Sequence, residues 1–366
     1  MAIFEIFNAV LKKATEVGAS DIHISAGGPF RLRIKGEVVP VQSTGVLKPQ
    51  DTATIAAEIL IASKKVDREQ VQKQIDSLTD FDCSYALPEV SRFRANICSQ
   101  RGSLALVLRT IPFKVPDFDS LGLPPVLKEI ALEDRGLILL TGITGSGKSS
   151  TLAAMISHTN QQKAGKIVTI EDPIEFLHRD IKSTVVQREL GADTESFARA
   201  LRAALRQDPD VILVGEMRDK ETIDIALKAA ETGHLVFSTV HTTDAPKTIS
   251  RLVSVFEASE QGSTRIRLAE TVKAVISQRL LARKDGKGRV VAVEIMRQTK
   301  TIQDCIENPE KTAHIKDHIE KGRDQYGTQT FDQHLAELYQ KELISLETAK
   351  AAATSPADFE RNLQYQ

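Results

Sequence analysis

The stretch Leu137–Ser150, LILLTGITGSGKSS, governs how the rest of the chain is read. Leu137-Ile138-Leu139-Leu140 is an apolar run of strand length, and Thr151-Leu152-Ala153-Ala154-Met155-Ile156 reads as the helix beyond it. Between them, Gly142–Ser150 fits G-x-x-x-x-G-K-[ST], with Gly142 and Gly147 as the two fixed glycines. Glycines let backbone N–H groups close around phosphate oxygens, and the following helix adds the positive end of its dipole. Lys148 has the reach for β- and γ-phosphates, and the Ser149 hydroxyl can ligate Mg²⁺. The candidate phosphate-binding set is Gly142, Thr144, Gly145, Ser146, Gly147, Lys148, Ser149 and Ser150. A glycine-rich turn with an incidental lysine is the plainer reading, and the position between a strand run and a helix run weighs against it.

A chain of 366 residues has room for two domains, and 41% hydrophobic with 27% charged residues is the composition of a folded globular protein. A formal net charge of −1 argues against a binder driven by phosphate electrostatics, so no nucleic acid partner is expected. Cys83, Cys98 and Cys305 include no C-x-x-C pair, which argues against a disulfide framework and a cysteine zinc site and fits a reducing compartment. No segment approaches 18 consecutive apolar residues, and the N-terminus lacks a cleavage signal. A cytoplasmic protein is expected, with any membrane association made through a partner.

Ahead of the glycine-rich stretch, Ile3–Val17 has the 3.6 period of an amphipathic helix. Asp21–Ser25 and Arg31–Val41 read as strands, the latter broken by Lys35-Gly36, and helical patches cover Asp51–Ser63 and Val66–Asp76. Phe81–Leu87, Ser91–Ser99 and Ser103–Ile111 are three further strands. Period 2 in Ser91–Ser99 puts Phe93, Ala95 and Ile97 on one face and Arg92, Arg94 and Asn96 on the other, while Arg109 closes the next strand. Four prolines then punctuate Pro112–Pro125. The expected organisation is an α+β domain over 1–111, a Pro-rich linker and hinge over 112–126, and an α/β parallel-sheet P-loop domain over 127–366 with a helical tail.

Within the last domain, strands are expected at Lys166–Ile170, Val211–Val214, Leu235–Thr239 and Arg289–Met296. Helices are expected from a Thr194 cap, over Glu221–Thr232, and over Ser263–Arg283. Ligands of open parallel sheets sit outside the carboxyl ends of the strands. Those ends carry the phosphate loop, Glu171–Glu175, Glu216 and His241. Phosphoryl transfer to water needs a metal to neutralise charge, a carboxylate to orient the water, and positive charge at the transition state. Glu216 is assigned to the Mg²⁺ shell with Ser149, Glu175 to the water, and His241 to the γ-phosphate; spacing does not separate Glu171 and Asp172 from Glu175. The domain offers no arginine finger after a strand, so Arg94 and Arg109 are the candidates, supplied by a neighbouring subunit over a composite site. His314 and His318 share a helix spacing without a third ligand and read as solvated, and His158, His178 and His334 read as surface residues.

The chain resembles the secretion and pilus motor ATPases, and within them the PilT-like retraction ATPases of type IV pili. TGITGSGKSS resembles the family Walker A, IVTIEDPIEF its Asp box, DPDVILVGEMRD its Walker B and LVFSTVHTTDA its His box, in the family order; GASDIHI and RFRANICSQRGSLALVLR resemble its N-terminal domain. The resemblance implies a PAS-like N-terminal domain, a RecA-like ATPase domain and a homohexamer that couples hydrolysis of ATP with Mg to domain rotation. It implies Glu175 as the catalytic glutamate, with Arg94 and Arg109 acting on nucleotide. Implied partners are an inner-membrane, PilC-like pilus platform protein and the assembly ATPase or paralogous retraction ATPases. The short N-terminal region and the lack of a four-cysteine module point to retraction and twitching motility. Thr301–Asn308, TIQDCIEN, departs from the branch's AIRNLIRE-like motif in both arginines, which leaves a regulatory or accessory paralogue as the alternative, ahead of a nucleic-acid translocase.

Overall fold

The computed structural model describes residues 3–63, 66–111 and 115–363. The chain divides into two compact units, Met1–Lys114 with Pro173–Leu177 and Glu189–Asp193, and Val115–Asp172 with His178–Arg188 and Thr194–Gln366. Of the proline-rich segment, 112–114 lie outside the described residues. Asp117 caps the helical turn Phe118–Leu121 through Ser120 N, and Phe118 and Leu123 are buried in the core of the second unit.

In the first unit, β1 (Asp21–Ser25), β2 (Arg31–Ile34), β3 (Glu37–Pro40), β4 (Asp80–Leu87), β5 (Ser91–Gln100) and β6 (Ser103–Ile111) form an antiparallel sheet of order β3-β2-β1-β6-β5-β4. Helices Ile3–Glu16 and Pro49–Ala62 give Phe7, Leu11, Ile55 and Ile59 to the same core as Phe93 and Ile97 of β5. One sheet face is thereby buried and the other is left to polar side chains, the alternation that period 2 requires. The second expected helix of this unit is shorter, Val71–Ser77.

In the second unit, β7 (Gly136–Thr141), β8 (Lys166–Glu171), β9 (Thr184–Glu189), β10 (Val211–Val214), β11 (Leu235–Val240), β12 (Val272–Ala282) and β13 (Arg289–Arg297) form a sheet of order β13-β12-β7-β11-β10-β8-β9. Strands β12, β7, β11, β10 and β8 are parallel neighbours, and β13 is antiparallel to β12. The apolar runs alternate between two cores. Leu137, Leu139, Ile212 and Val214 enter one, and Ile138, Leu140, Val211 and Leu213 the other. A strand buried on both faces cannot show polar alternation, which is why these segments read as unbroken apolar runs.

Four sequence expectations need correction. The helix expected over Ser263–Arg283 is Ala258–Thr271, and Val272–Ala282 is strand β12. Val272, Val275 and Ile276 satisfy a helical spacing as well as a strand; the β-branched side chains pack in the slot beside β7, and that long-range pairing decides. Strand β9 gives no apolar run in the sequence, because four of its six side chains are only half-buried and its buried end is Glu189. The helix after Thr194 is capped by Ser196, whose Oγ accepts from Arg199 N at 3.1 Å. His334 is no surface residue: it is 5% exposed, and its Nδ1 accepts from Val293 N at 3.0 Å.

Burial, with Lys341 and Arg323 nearby, pushes the His334 imidazole down to about 4. The unfolded chain takes up this proton near the ordinary value of about 6.5. Stability from neutral His334 is therefore intact above about 6.5 and is lost as pH falls towards 4. At pH 5 the loss is on the order of 2 kcal/mol. Denaturant titrations at pH 7 and pH 5 should show that loss in the wild type, and His334→Asn, which keeps an acceptor for Val293, should show markedly less.

Candidate active site

The loop after β7 is set by steric constraints. Gly142 has φ of +146°, and a Cβ there would lie 2.4 Å from Ser146 Oγ and 2.6 Å from the Gln278 carbonyl, so no other residue fits without displacing the loop. Thr144 and Gly145 form its exposed tip, and Gly147 stands at the N-cap of helix Lys148–Gln162, which has no side-chain cap. The first N–H groups of that helix are thus left for an anion. Lys148 is buried, and its Nζ donates to the carbonyls of Gly142 at 2.8 Å and Ile143 at 3.0 Å. Burial lowers the ammonium pKa, and the negative charge of Glu216 partly offsets this. Ser146 Oγ is buried without a hydrogen-bond partner. A Mg-nucleotide fits this donor set: an orphaned hydroxyl, a partly desolvated ammonium and an uncapped helix start, beside the exposed Ser149 and half-buried Ser150.

Strands β11 and β10 deliver two more groups beside it. Met217 N donates to Thr239 O at 3.2 Å and Thr239 Oγ1 donates to Gly215 O at 2.7 Å, tying the turn after β10 to β11. Glu216 Oε1 consequently lies 3.2 Å from His241 Nε2 and 2.6 Å from Arg218 Nε. Arg218 was not singled out from the sequence, although the i, i+2 offset in Glu216-Met217-Arg218 was available as a signal. At the end of β8, Glu171 Oε1 accepts from Thr169 Oγ1 at 2.6 Å and Gln187 Nε2 at 3.1 Å, so this carboxylate is held within the sheet. Asp172 is exposed and contributes to the field on Arg218. Among the described residues no group of three or more His, Cys, Asp or Glu side chains is arranged to hold a metal, and His314 pairs with Asp317 at 3.5 Å.

Glu175 belongs to the first unit. On the polar face of that sheet, Arg33, Asp21, Arg109 and Arg94 are successive cross-strand partners on β2, β1, β6 and β5. Asp21 Oδ1 accepts from Arg109 Nε at 3.0 Å. Burial pushes the Asp21 carboxyl up, but hydrogen bonds from Ser20 and Arg109 outweigh it and hold the pKa below the usual carboxylate range. Arg94 and Arg109 stand directly opposite one another, an arrangement of like charges that is unfavourable on its own. Their field falls on Glu175 of the same chain: burial raises its pKa, and Arg94 and Arg109 pull it part of the way back. Glu189, unmarked in the sequence, fixes this segment by accepting from Arg92 Nη2 at 2.5 Å and Ile174 N at 3.1 Å through one oxygen.

Residues 1–364 match the family of type II/IV secretion system proteins. The chain belongs to that family. Among its relatives, the type IV pilus retraction ATPase PilT of Pseudomonas aeruginosa is 45% identical over 350 residues, which cover 96% of this chain and 98% of PilT. The type IV pilus ATPase PilU of the same organism is 38% identical over 354 residues, 96% of this chain and 90% of PilU. The crystal structure of the pilus retraction motor PilT with bound ADP matches at a TM-score of 0.86 and 45% identity, over 97% of this chain and 98% of that one. The second unit is therefore the family's RecA-like ATPase domain, preceded by its smaller α+β domain, and the family is one of P-loop ATPases that take ATP with magnesium.

For this family site, Gly142→Ala should abolish detectable binding of a fluorescent ATP analogue while leaving the circular dichroism spectrum in place. The added methyl has to move Ser146 or the Gln278 backbone. Wild-type affinity in that variant would contradict the steric argument.

Proposed function

We propose that this protein is a hexameric motor ATPase that converts ATP and water to ADP and phosphate and uses the resulting domain rotation to retract type IV pili, driving twitching motility. The observation that carries the reading is the strand-end constellation of Lys148, Glu216 and His241 in a chain that matches PilT from end to end. In this proposal 1–111 is a PAS-like domain, 112–126 a hinge segment whose residues from 115 on pack with the second unit, and 127–366 the ATPase domain. The protein works in the cytoplasm, held to the inner membrane through a PilC-like platform protein and accompanied by paralogous motor ATPases. No helix among the described residues is long and apolar enough to cross a membrane, which fits recruitment through a partner.

The proposed chemistry assigns one task to each group. Backbone N–H groups of Gly142–Ser150 and the Lys148 ammonium bind the phosphates and orient the γ-phosphoryl group for in-line attack. Ser149 and Glu216 hold magnesium, which when bound neutralises charge on the phosphate oxygens. His241 donates to the γ-phosphate and, through Glu216, reports on its presence. Glu175 orients water and accepts its proton, a role suited by its raised pKa. Arg94 and Arg109 supply the positive charge that a developing metaphosphate needs. PilU supplies a second reading, an accessory ATPase of the same machinery, through its 38% identity to this chain.

Three measurements test the proposal. Glu175→Gln should retain nucleotide binding and lower kcat about 100-fold or more, the scale of a lost general base, and Lys148→Ala should lose both binding and turnover. Because burial raises the Glu175 pKa and the carboxylate form is required, the wild-type rate should fall on acidification at a higher pH than an ordinary glutamate would give. A wild-type rate in Glu175→Gln would remove Glu175 from the mechanism. In cells, deleting the gene should leave pili that extend and do not retract; normal retraction would favour the accessory reading.

A further inference from the structure

A buried polar relay runs behind the phosphate loop, within the second unit. Thr141, the last residue of β7, Ser277 of β12 and Glu294 of β13 are direct cross-strand partners on adjacent strands. Thr141 Oγ1 donates to Ser277 Oγ at 3.0 Å, and Ser277 Oγ donates to Glu294 Oε1 at 3.3 Å. The same Oε1 accepts from Ala245 N at 2.9 Å, the first residue of helix Ala245–Ser254. All three side chains are buried, Glu294 at 3% exposure. A carboxylate in such surroundings is costly and persists only where its bonds are made.

The two ends of this relay are informative. Thr141 directly precedes Gly142, and Ala245 follows His241-Thr242-Thr243-Asp244. Asp244 Oδ1 caps the same helix by accepting from Lys247 N at 2.9 Å, and Thr242 Oγ1 meets Thr248 Oγ1 at 2.7 Å. The helix start is thus held by its own cap and, from outside, by Glu294. Three residues lie between that anchor and His241, too few to absorb a shift of the helix without moving the imidazole.

We infer that Glu294 is a positioning residue for ATP hydrolysis: through Ala245 N and the hydroxyls of Ser277 and Thr141 it fixes the His241 segment relative to the phosphate loop. It touches neither nucleotide nor water and acts through His241. The inference rests on the proposed role of His241 at the γ-phosphate. A surface carboxylate cap would serve helix stability equally well; the distinctive feature here is that one oxygen accepts from the helix and from Ser277 of β12, whose own Oγ accepts from Thr141 on the strand that carries the loop.

The test is steady-state ATPase kinetics on full-length Glu294→Ala, Glu294→Gln, His241→Ala and the Glu294→Ala/His241→Ala double variant, each measured well below its melting temperature. Glu294→Ala should lower kcat about 10-fold with KM changed less than about 3-fold, the split expected for misplacement of a group used in the transition state. Glu294→Gln, whose amide oxygen can accept both hydrogen bonds, should stay within about 3-fold of wild type. The double variant should be no slower than His241→Ala within about 3-fold, because residues acting in series are not additive. Wild-type kcat in Glu294→Ala, or losses that multiply in the double variant, would overturn the inference while leaving His241 in place. A wild-type rate in His241→Ala would overturn both. If Glu294→Ala does not fold, Ser277→Ala decides. It should lower kcat measurably without raising KM, and an unchanged kcat would overturn the relay.

Discussion

The ammonium of Lys148, buried at the mouth of its own loop and bonded to the carbonyls of Gly142 and Ile143, is the constraint on which the rest of the ATPase domain depends. A desolvated cation costs several kcal/mol unless it is given partners. The loop can give them only if its backbone turns inward, and that turn is available only to glycine at 142. The loop in turn is placed by β7, whose side chains enter two cores at once and leave the strand no freedom to slide. Strand β11 beside it and β10 one strand further then bring His241 and Glu216 to the same edge. The negative charge of Glu216 partly offsets the desolvation of Lys148, so the ammonium is held by charge as well as by geometry.

The first unit shows how one guanidinium sorts two carboxyl groups. Asp21 receives a hydrogen bond from Arg109 and one from Ser20, and its pKa falls despite burial. Glu175 feels Arg109 and Arg94 mainly as a field, and burial prevails, so its pKa rises. A carboxylate held ionised suits a structural anchor, and one poised to take a proton suits chemistry at a water. Glu189, bonded to both Arg92 and the backbone of Ile174, keeps the Glu175 segment in place.

Much of this was legible in the sequence where the information is local. A strand, a glycine turn and a helix start are all contained in Leu137–Ile156, and the alternation in β5 separates Phe93 and Ile97 from Arg94 within a few residues. The residues that escaped notice take their meaning from distant partners. Glu189 and Arg92 are 97 positions apart, and Glu294 and Ala245 are 49 apart. Ser277, Gln278 and Glu294 were further obscured because Val272–Ala282 carries a pattern compatible with helix, and only its pairing with β7 and β13 makes it a strand. The burial of His334 is hidden for the same reason: nothing near it in sequence announces the Val293 N–H that it satisfies.

The most direct measurement is an experimental structure of the protein with magnesium and a non-hydrolysable ATP analogue. Lys148 Nζ should leave the Gly142 and Ile143 carbonyls and lie within about 3 Å of β- and γ-phosphate oxygens, with Ser146 Oγ hydrogen-bonded and the Ser149 hydroxyl on the metal. Lys148 still bonded to those two carbonyls, with the nucleotide phosphates elsewhere, would contradict the assignment of this loop as the site of ATP hydrolysis.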